Sequence, residues 1–203
     1  MARQTAISIN TIPIGPLGII GMPGCEGLTD KIDQYLVKWR KTQASEHAES
    51  IAFFGYQRDT YKIDVSIPRF GSGEGKGVIN ESVRGYDIYI VCDVFNYSCS
   101  YDMYGRKVYM SPDDHFADLK RVISALCSKP KRVSVIMPML YEGRQHKRSS
   151  RESLDCAMAL KELVHLGVEN IITFDAHDQR VQNAIPDKSF ENVMPTYQMI
   201  KAL

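Results

Sequence analysis

Between residues 87 and 174, three short apolar runs alternate with two stretches of helical periodicity, and this rhythm constrains the fold more than any other feature. The runs are Asp87-Ile-Tyr-Ile-Val-Cys-Asp93, Arg132-Val-Ser-Val-Ile-Met137 and Asn170-Ile-Ile-Thr-Phe174. Short Ile- and Val-rich runs bounded by polar residues read as buried strands. After the first run, Ser111-Pro112-Asp113-Asp114 reads as a helix start, with Pro near the first turn and carboxylates at the positive end of the dipole. Phe116, Leu119, Val122, Ile123 and Leu126 then make one apolar stripe, and Lys129-Pro130 stops it. After the second run, a helix is predicted from about Arg151 to His165, ended by Gly167. Strand, helix, strand, helix, strand at this spacing demands right-handed crossovers and a parallel sheet with helices on both faces, an α/β fold.

Upstream the pattern is looser. The opening reads as a loop through Gly15, Gly18, Gly21, Pro23, Gly24 and Gly27, with Thr29 as N-cap of a helix through Ile32, Leu36 and Trp39. Tyr61–Phe70 has strand character, with Ile63, Val65 and Ile67 alternating on one face. Gly71, Gly73, Gly75 and Gly77 lead to the short segment Val78–Ile79 and a turn at Arg84-Gly85. Asn96–Met110 is rich in Tyr and polar residues and reads as an irregular surface excursion. No internal repeat, low-complexity tract or linker divides the chain, so residues 1–203 are expected to form a single domain.

Composition removes several functional classes. A hydrophobic content of 44% supplies a sizeable core and rules out a disordered tail or a coiled-coil rod. The formal net charge of +1 offers no global field for nucleic acid or an acidic membrane, so neither partner is expected. Cys25, Cys92, Cys99, Cys127 and Cys156 are odd in number and lack zinc spacing, as free thiols in a reducing compartment would be. Ile7–Ile20 is mildly apolar but broken by Asn10, Pro13, Gly15 and Pro16, and no run approaches the ~18 residues of a membrane span. A cytoplasmic location is the expectation.

Chemistry is expected beyond the carboxyl ends of the strands, where open parallel sheets bind ligands. The run ending at Met137 leads into Pro138–Glu152, which gathers Arg144, Lys147, Arg148 and Arg151 ahead of a helix N-terminus. Guanidinium forks, an ammonium and free helix amides hold polyphosphate, although a solvated basic loop reads equally well from these residues. The run ending at Phe174 continues as Asp175-Ala-His177-Asp178. Alternation along the strand would put Asp175 and His177 on one side, where an oxygen and a nitrogen could meet a divalent cation; a cap or a core histidine is the commoner use of such a pair. Arg69-Phe-Gly-Ser-Gly-Glu74 offers an aromatic, small residues and a carboxylate for stacking on a purine, or simply a glycine-rich turn.

These three features, in this order, resemble the N-terminal half of the ribose-phosphate diphosphokinases, the synthetases of phosphoribosyl diphosphate. The similarity runs from about Ile63 to Leu203. Arg69–Glu74 followed by Glu81-Ser-Val-Arg-Gly85 looks like the family's adenine loop and the turn after it. Pro138–Glu152 resembles its ATP-binding segment around an Arg-Gln pair, and Thr173-Phe-Asp-Ala-His177 its metal motif. The resemblance implies a type I phosphoribosyltransferase-like domain and transfer of diphosphate from ATP to ribose 5-phosphate with Mg2+. It implies that Arg144 and Gln145 contact ATP, that His177 with Asp175 holds magnesium, and that Phe70, Ser72 and Glu74 cradle adenine, in the family usually for a neighbouring subunit. A homo-oligomer associating through the face that bears Phe70 follows from it. The chain also departs from the pattern. His146 stands where the family usually has an acidic residue, Ala184 and Ile185 replace a common Phe-Phe pair, and Asn96–Met110 is an unusual insertion. The second domain, whose acidic Thr-Gly-Gly loop grips ribose 5-phosphate, is not found within these 203 residues. The resemblance therefore implies the ATP-binding half of the enzyme, inactive by itself, or alternatively a non-catalytic subunit that regulates true synthetases.

Overall fold

A computed structural model describes residues 13–46 and 57–203. In chain order the elements are β1 (Leu17–Gly21), α1 (Glu26–Glu46), β2 (Val65–Ser66), β3 (Val78–Ile79), β4 (Asp87–Val91), β5 (Ser100–Met103), β6 (Arg106–Tyr109), α2 (Pro112–Ala125), β7 (Arg132–Met137), α3 (Asp155–His165), β8 (Asn170–Phe174), β9 (Ser189–Val193) and α4 (Thr196–Ala202). A 3-10 turn, Gln179–Ala184, joins β8 to β9.

Five strands form one all-parallel sheet in the order β1-β4-β7-β8-β9, and β2-β3 and β5-β6 are separate two-stranded ribbons. Alternation within the strands sorts the side chains into two layers. Ile20, Ile88, Ile90, Val133, Val135 and Ile171 meet Phe116, Leu119, Val122 and Ile123 of α2 and Leu160 and Leu163 of α3 in the main core. Ile19, Tyr61 and Val91 form a smaller cluster on the opposite side, under Ile32, Leu36 and Val37 of α1. A parallel sheet requires such cover on both faces. Toward β8 and β9 the second face is barer: Phe174 and Val193 are 38% and 40% exposed, and on α4 Tyr197, Met199 and Ile200 are exposed as well.

The three rhythmic runs are strands as expected, and the whole stripe on α2 is buried. Ser111 caps α2 by accepting from the Asp114 amide, while the Asp114 carboxylate accepts from the Ser111 amide, a reciprocal capping box.

The structure corrects five local expectations. The glycine-rich opening contains β1: Gly18 is required not by a turn but by crowding, since a Cβ there would lie 2.6 Å from Ile88 Cδ1 and 2.9 Å from Ile63 Cγ1. Thr29 lies inside α1, buried, with its hydroxyl donating to the Cys25 carbonyl at 2.8 Å, and Trp39 on that helix is exposed. Of Tyr61–Phe70 only Val65–Ser66 is a strand, because Tyr61 and Ile63 bond to the edge of β1 as an isolated bridge instead. Asn96–Met110 contains the β5-β6 hairpin rather than an irregular excursion. Helix α3 starts at Asp155, not Arg151, because Ser149 and Ser150 bond the Glu152 side chain in a turn of their own. Strand β9 was not anticipated. Part of the Ile7–Ile20 stretch read for a leader lies outside the described residues.

Candidate nucleotide and metal site

Strands β7 and β8 are neighbours in the sheet, so their carboxyl ends deliver the two loaded segments to the same edge. There a cleft of about 830 Å³ is lined by Tyr97, Asp113, Tyr141, Arg144, Asp175 and His177, among others. Arg144, Asp175 and His177, expected from separate stretches of sequence, therefore share one cavity.

Each wall has an identifiable support. Tyr141 stacks on Phe116 of α2, with ring centroids 4.3 Å apart, and its hydroxyl donates to Asp113 at 2.6 Å. Burial, reinforced by that carboxylate, pushes the Tyr141 phenol well above its ordinary range. Burial and then the nearby Asp155 and Asp113 raise the Glu142 carboxyl, with Arg144 acting against them. Among the lining residues, Asp113, Glu142 and Asp175 thus oppose Arg144, so the cleft is not simply an anion trap.

Asp175 and His177 do not share a strand face. Strand β8 ends at Phe174, and Asp175 takes a left-handed conformation (φ 47°), which breaks the alternation assumed from sequence. The Asp175 amide donates to the Val193 carbonyl and the Ala176 amide to Asn192 Oδ1, so β9 holds the turn that carries both exposed side chains. The His146 ring lies 5.2 Å from that of His177, and its Nε2 is 3.3 Å from Asp178 Oδ2. Arg180 hydrogen bonds, with His146 behind them, hold the Asp178 carboxyl far below the usual carboxylate range. Two polar atoms here, His146 Nδ1 and Thr173 Oγ1, are buried without a hydrogen-bond partner.

Gln145 stands beside Arg144 but is engaged in the loop: its side-chain amide donates to the Ser153 carbonyl and its backbone carbonyl accepts from Cys156 at the start of α3. Phe70, Ser72 and Glu74 are not among the residues lining the cleft. They sit on a tight turn in which the Phe70 amide donates to Glu74 O, the Gly73 amide to Phe70 O, and Ser72 Oγ to Glu74 Oε2. The Phe70 ring is 58% exposed. Sequence reasoning missed Asp113, Tyr141 and Tyr97 as cleft residues. Asp113 was legible only as a helix-start carboxylate, and nothing local marks the two tyrosines, which the fold brings together from 44 positions apart.

Among known proteins, a family model described as the N-terminal domain of ribose phosphate pyrophosphokinase matches residues 17–167. The chain belongs to that family. Ribose-phosphate pyrophosphokinase 1 of Schizosaccharomyces pombe is 28% identical over 138 residues, which is 67% of this chain and 30% of the relative. The ribose-phosphate pyrophosphokinase of Vibrio parahaemolyticus is 26% identical over 136 residues, 66% of this chain and 38% of the relative. The crystal structure of phosphoribosylpyrophosphate synthetase from Mycobacterium smegmatis matches with a TM-score of 0.66 at 18% identity, across 92% of this chain and 51% of that one. The fold is therefore the phosphoribosyltransferase-like one expected, and the chain corresponds to an N-terminal domain that spans roughly a third to a half of the length of these relatives.

Proposed function

We propose that this domain binds magnesium-ATP for a ribose-phosphate diphosphokinase, in which diphosphate passes from ATP to the 1-hydroxyl of ribose 5-phosphate. The observation that carries the reading is the convergence of Arg144, Asp175 and His177 on one cleft at the carboxyl ends of β7 and β8. Phosphoryl transfer calls for positioning and charge neutralisation rather than a covalent nucleophile, and these residue types supply both. The lining also favours a metal-bound nucleotide over a bare one. Three carboxylates beside Arg144 repel free polyphosphate, whereas a divalent cation bridges carboxylate and phosphate oxygens.

Among the described residues no group of three or more His, Cys, Asp or Glu is arranged to hold an ion alone. Asp175 and His177 fit magnesium as a partial set, since this ion retains water and completes its shell with phosphate oxygens. Bound there, magnesium would neutralise charge on the phosphates; Arg144 would orient them and Tyr141 would close the apolar wall. Phe70, Ser72 and Glu74 would receive an adenine, on this reading that of a neighbouring copy in a homo-oligomer. Gln145 would act on ATP through its loop. The reading carries with it a cytoplasmic location, with which the five unpaired cysteines agree; no helix among the described residues is long and apolar enough to cross a membrane.

The test is calorimetric titration with a non-hydrolysable ATP analogue. Binding is expected in magnesium and is expected to be lost on chelation. Arg144→Ala is expected to weaken it by about 1.5–3 kcal/mol, as for a charge-assisted contact to phosphate. Unchanged affinity in that variant would return the loop to a solvated-surface role.

A further inference from the structure

The β5-β6 hairpin, which occupies the stretch that the sequence resemblance marks as an unusual insertion, does not hang free of the Arg69–Glu74 turn. The Tyr104 amide donates to the Gly71 carbonyl at 2.9 Å. Gly73 has φ +91°, and a Cβ there would lie 2.9 Å from Met103 Sδ and 3.4 Å from the Tyr101 ring. The ring of Tyr101 in turn covers the Arg69 guanidinium, with 4.3 Å between Cζ and the ring centroid. Arg69 is the pivot of the turn: Nη1 donates to Gly73 O, and Nη2 to Asp118, a carboxylate 2% exposed on α2 that also takes Arg121. The hairpin is itself anchored. Met110 is buried and bonded to Cys99 O, Tyr101 OH reaches Asp114 at 3.4 Å, and His115, buried in α2, holds the Asn96 carbonyl at 2.8 Å.

We propose that the hairpin is a brace that holds the Arg69–Glu74 turn in the shape that presents Phe70, Ser72 and Glu74 to a nucleobase, with Tyr101 as the positioning residue. The base-binding part rests on the function proposed above; the bracing part does not. A guanidinium clamped between an aromatic face and a buried carboxylate can no longer swing, so the carbonyl it holds, Gly73 O, is fixed with it. Without the ring, Arg69 keeps Asp118 but gains freedom about its stem, and the turn loses its outer wall together with the contact on Gly73. Tyr101 touches no substrate in this scheme and acts only through Arg69.

Two measurements on the 203-residue chain separate the brace from the reading beneath it. In hydrogen exchange, the amides of Phe70 and Gly73, which bond within the turn, and of Lys76, which bonds to the Pro68 carbonyl across its base, are expected to exchange roughly 5- to 30-fold faster in Tyr101→Ala, the range set by loss of a partly desolvated cation–π contact. Amides of β4 and β7 are expected to stay protected, which excludes general unfolding. Tyr101→Phe, which keeps the ring, is expected to restore the turn. Unchanged exchange in Tyr101→Ala, or loss of protection in Tyr101→Phe equal to that in the alanine variant, would overturn the brace. In parallel, titration with an ATP analogue in magnesium is expected to show weaker binding for both Tyr101→Ala and Phe70→Ala, and wild-type affinity for Tyr101→Phe. Wild-type affinity in Phe70→Ala would overturn the base-binding part alone, whatever the exchange reports.

Discussion

At the scale of single residues, the N-terminal turn of α2 concentrates more consequence than its exposure suggests. Burial alone would raise the Asp114 carboxyl, but hydrogen bonds from the Ser111 amide and hydroxyl, the Arg69 charge and Tyr101 outweigh it, and the group lies below its ordinary 3.8. A carboxyl with a depressed folded pKa contributes stability above its unfolded value, and the contribution disappears as pH falls through the folded one. Asp114→Asn is accordingly expected to be less stable than wild type at neutral pH and to converge with it in acid, read from urea melts at a series of pH values. A gap that persists below the carboxylate range would mean that packing rather than charge is at stake. Ser111→Ala, which removes the other half of the box, is expected to cost about 0.5–2 kcal/mol. Both residues lie at the stem of the hairpin: Ser111 directly follows Met110, and the Asp114 carboxylate accepts from the Tyr101 hydroxyl at 3.4 Å.

At the scale of elements, α2 joins the core to the turn, since its stripe packs in the main core with β4 and β7 while Asp118, buried beside that stripe, holds Arg69. Leu119 is completely buried in that stripe, so Leu119→Ala is expected to destabilise the fold by about 2–5 kcal/mol, the loss of transfer energy plus a cavity, measured by denaturant unfolding. The same helix shows why some elements could be read from sequence and others not. Helix α2 and strands β4, β7 and β8 each put an unbroken apolar stripe or run into the core, so apolar periodicity announces them. Strand β1 buries Ile19 and Ile20, but the glycines and prolines that flank so short an apolar run make it read as a loop. In the β5-β6 hairpin Tyr101, Met103 and Val108 are only half-buried, with Met110 next to them inside, and each strand has four residues, so its alternation is too short and too shallow to stand out. Strand β9 alternates half-buried with exposed residues because it is the sheet edge, and Glu191 and Asn192 hide it. The candidate site follows the same logic. Arg144 and His177 were legible because functional groups after a buried strand end stand out, whereas the wall made by Tyr97, Asp113 and Tyr141 exists only once α2 and β7 have come together.

At the scale of the whole molecule, the main core spans four of the five sheet strands as well as α2 and α3, with Phe190 of the edge strand packed against it, so the chain of 203 residues is expected to unfold cooperatively as one body. It is not expected to make phosphoribosyl diphosphate alone. No acidic Thr-Gly-Gly run exists in it to orient a sugar phosphate, and without that orientation the rate advantage of proximity is missing. A coupled assay for AMP release with ATP, magnesium and ribose 5-phosphate decides this, and sustained turnover by the purified chain would show that the sugar phosphate binds elsewhere. The bare side of the sheet, with Phe174 and Val193 open, gives that purified chain an apolar flank. The order of strands in the sheet has a further consequence, one that concerns birth rather than action. Because β1, β4, β7, β8 and β9 lie side by side in the order in which they are translated, each of these strands after β1 leaves the ribosome with its partner edge already made. None of these four has to wait for a later segment or be threaded between two earlier ones, so the sheet can grow outward from its first strand while synthesis is still under way.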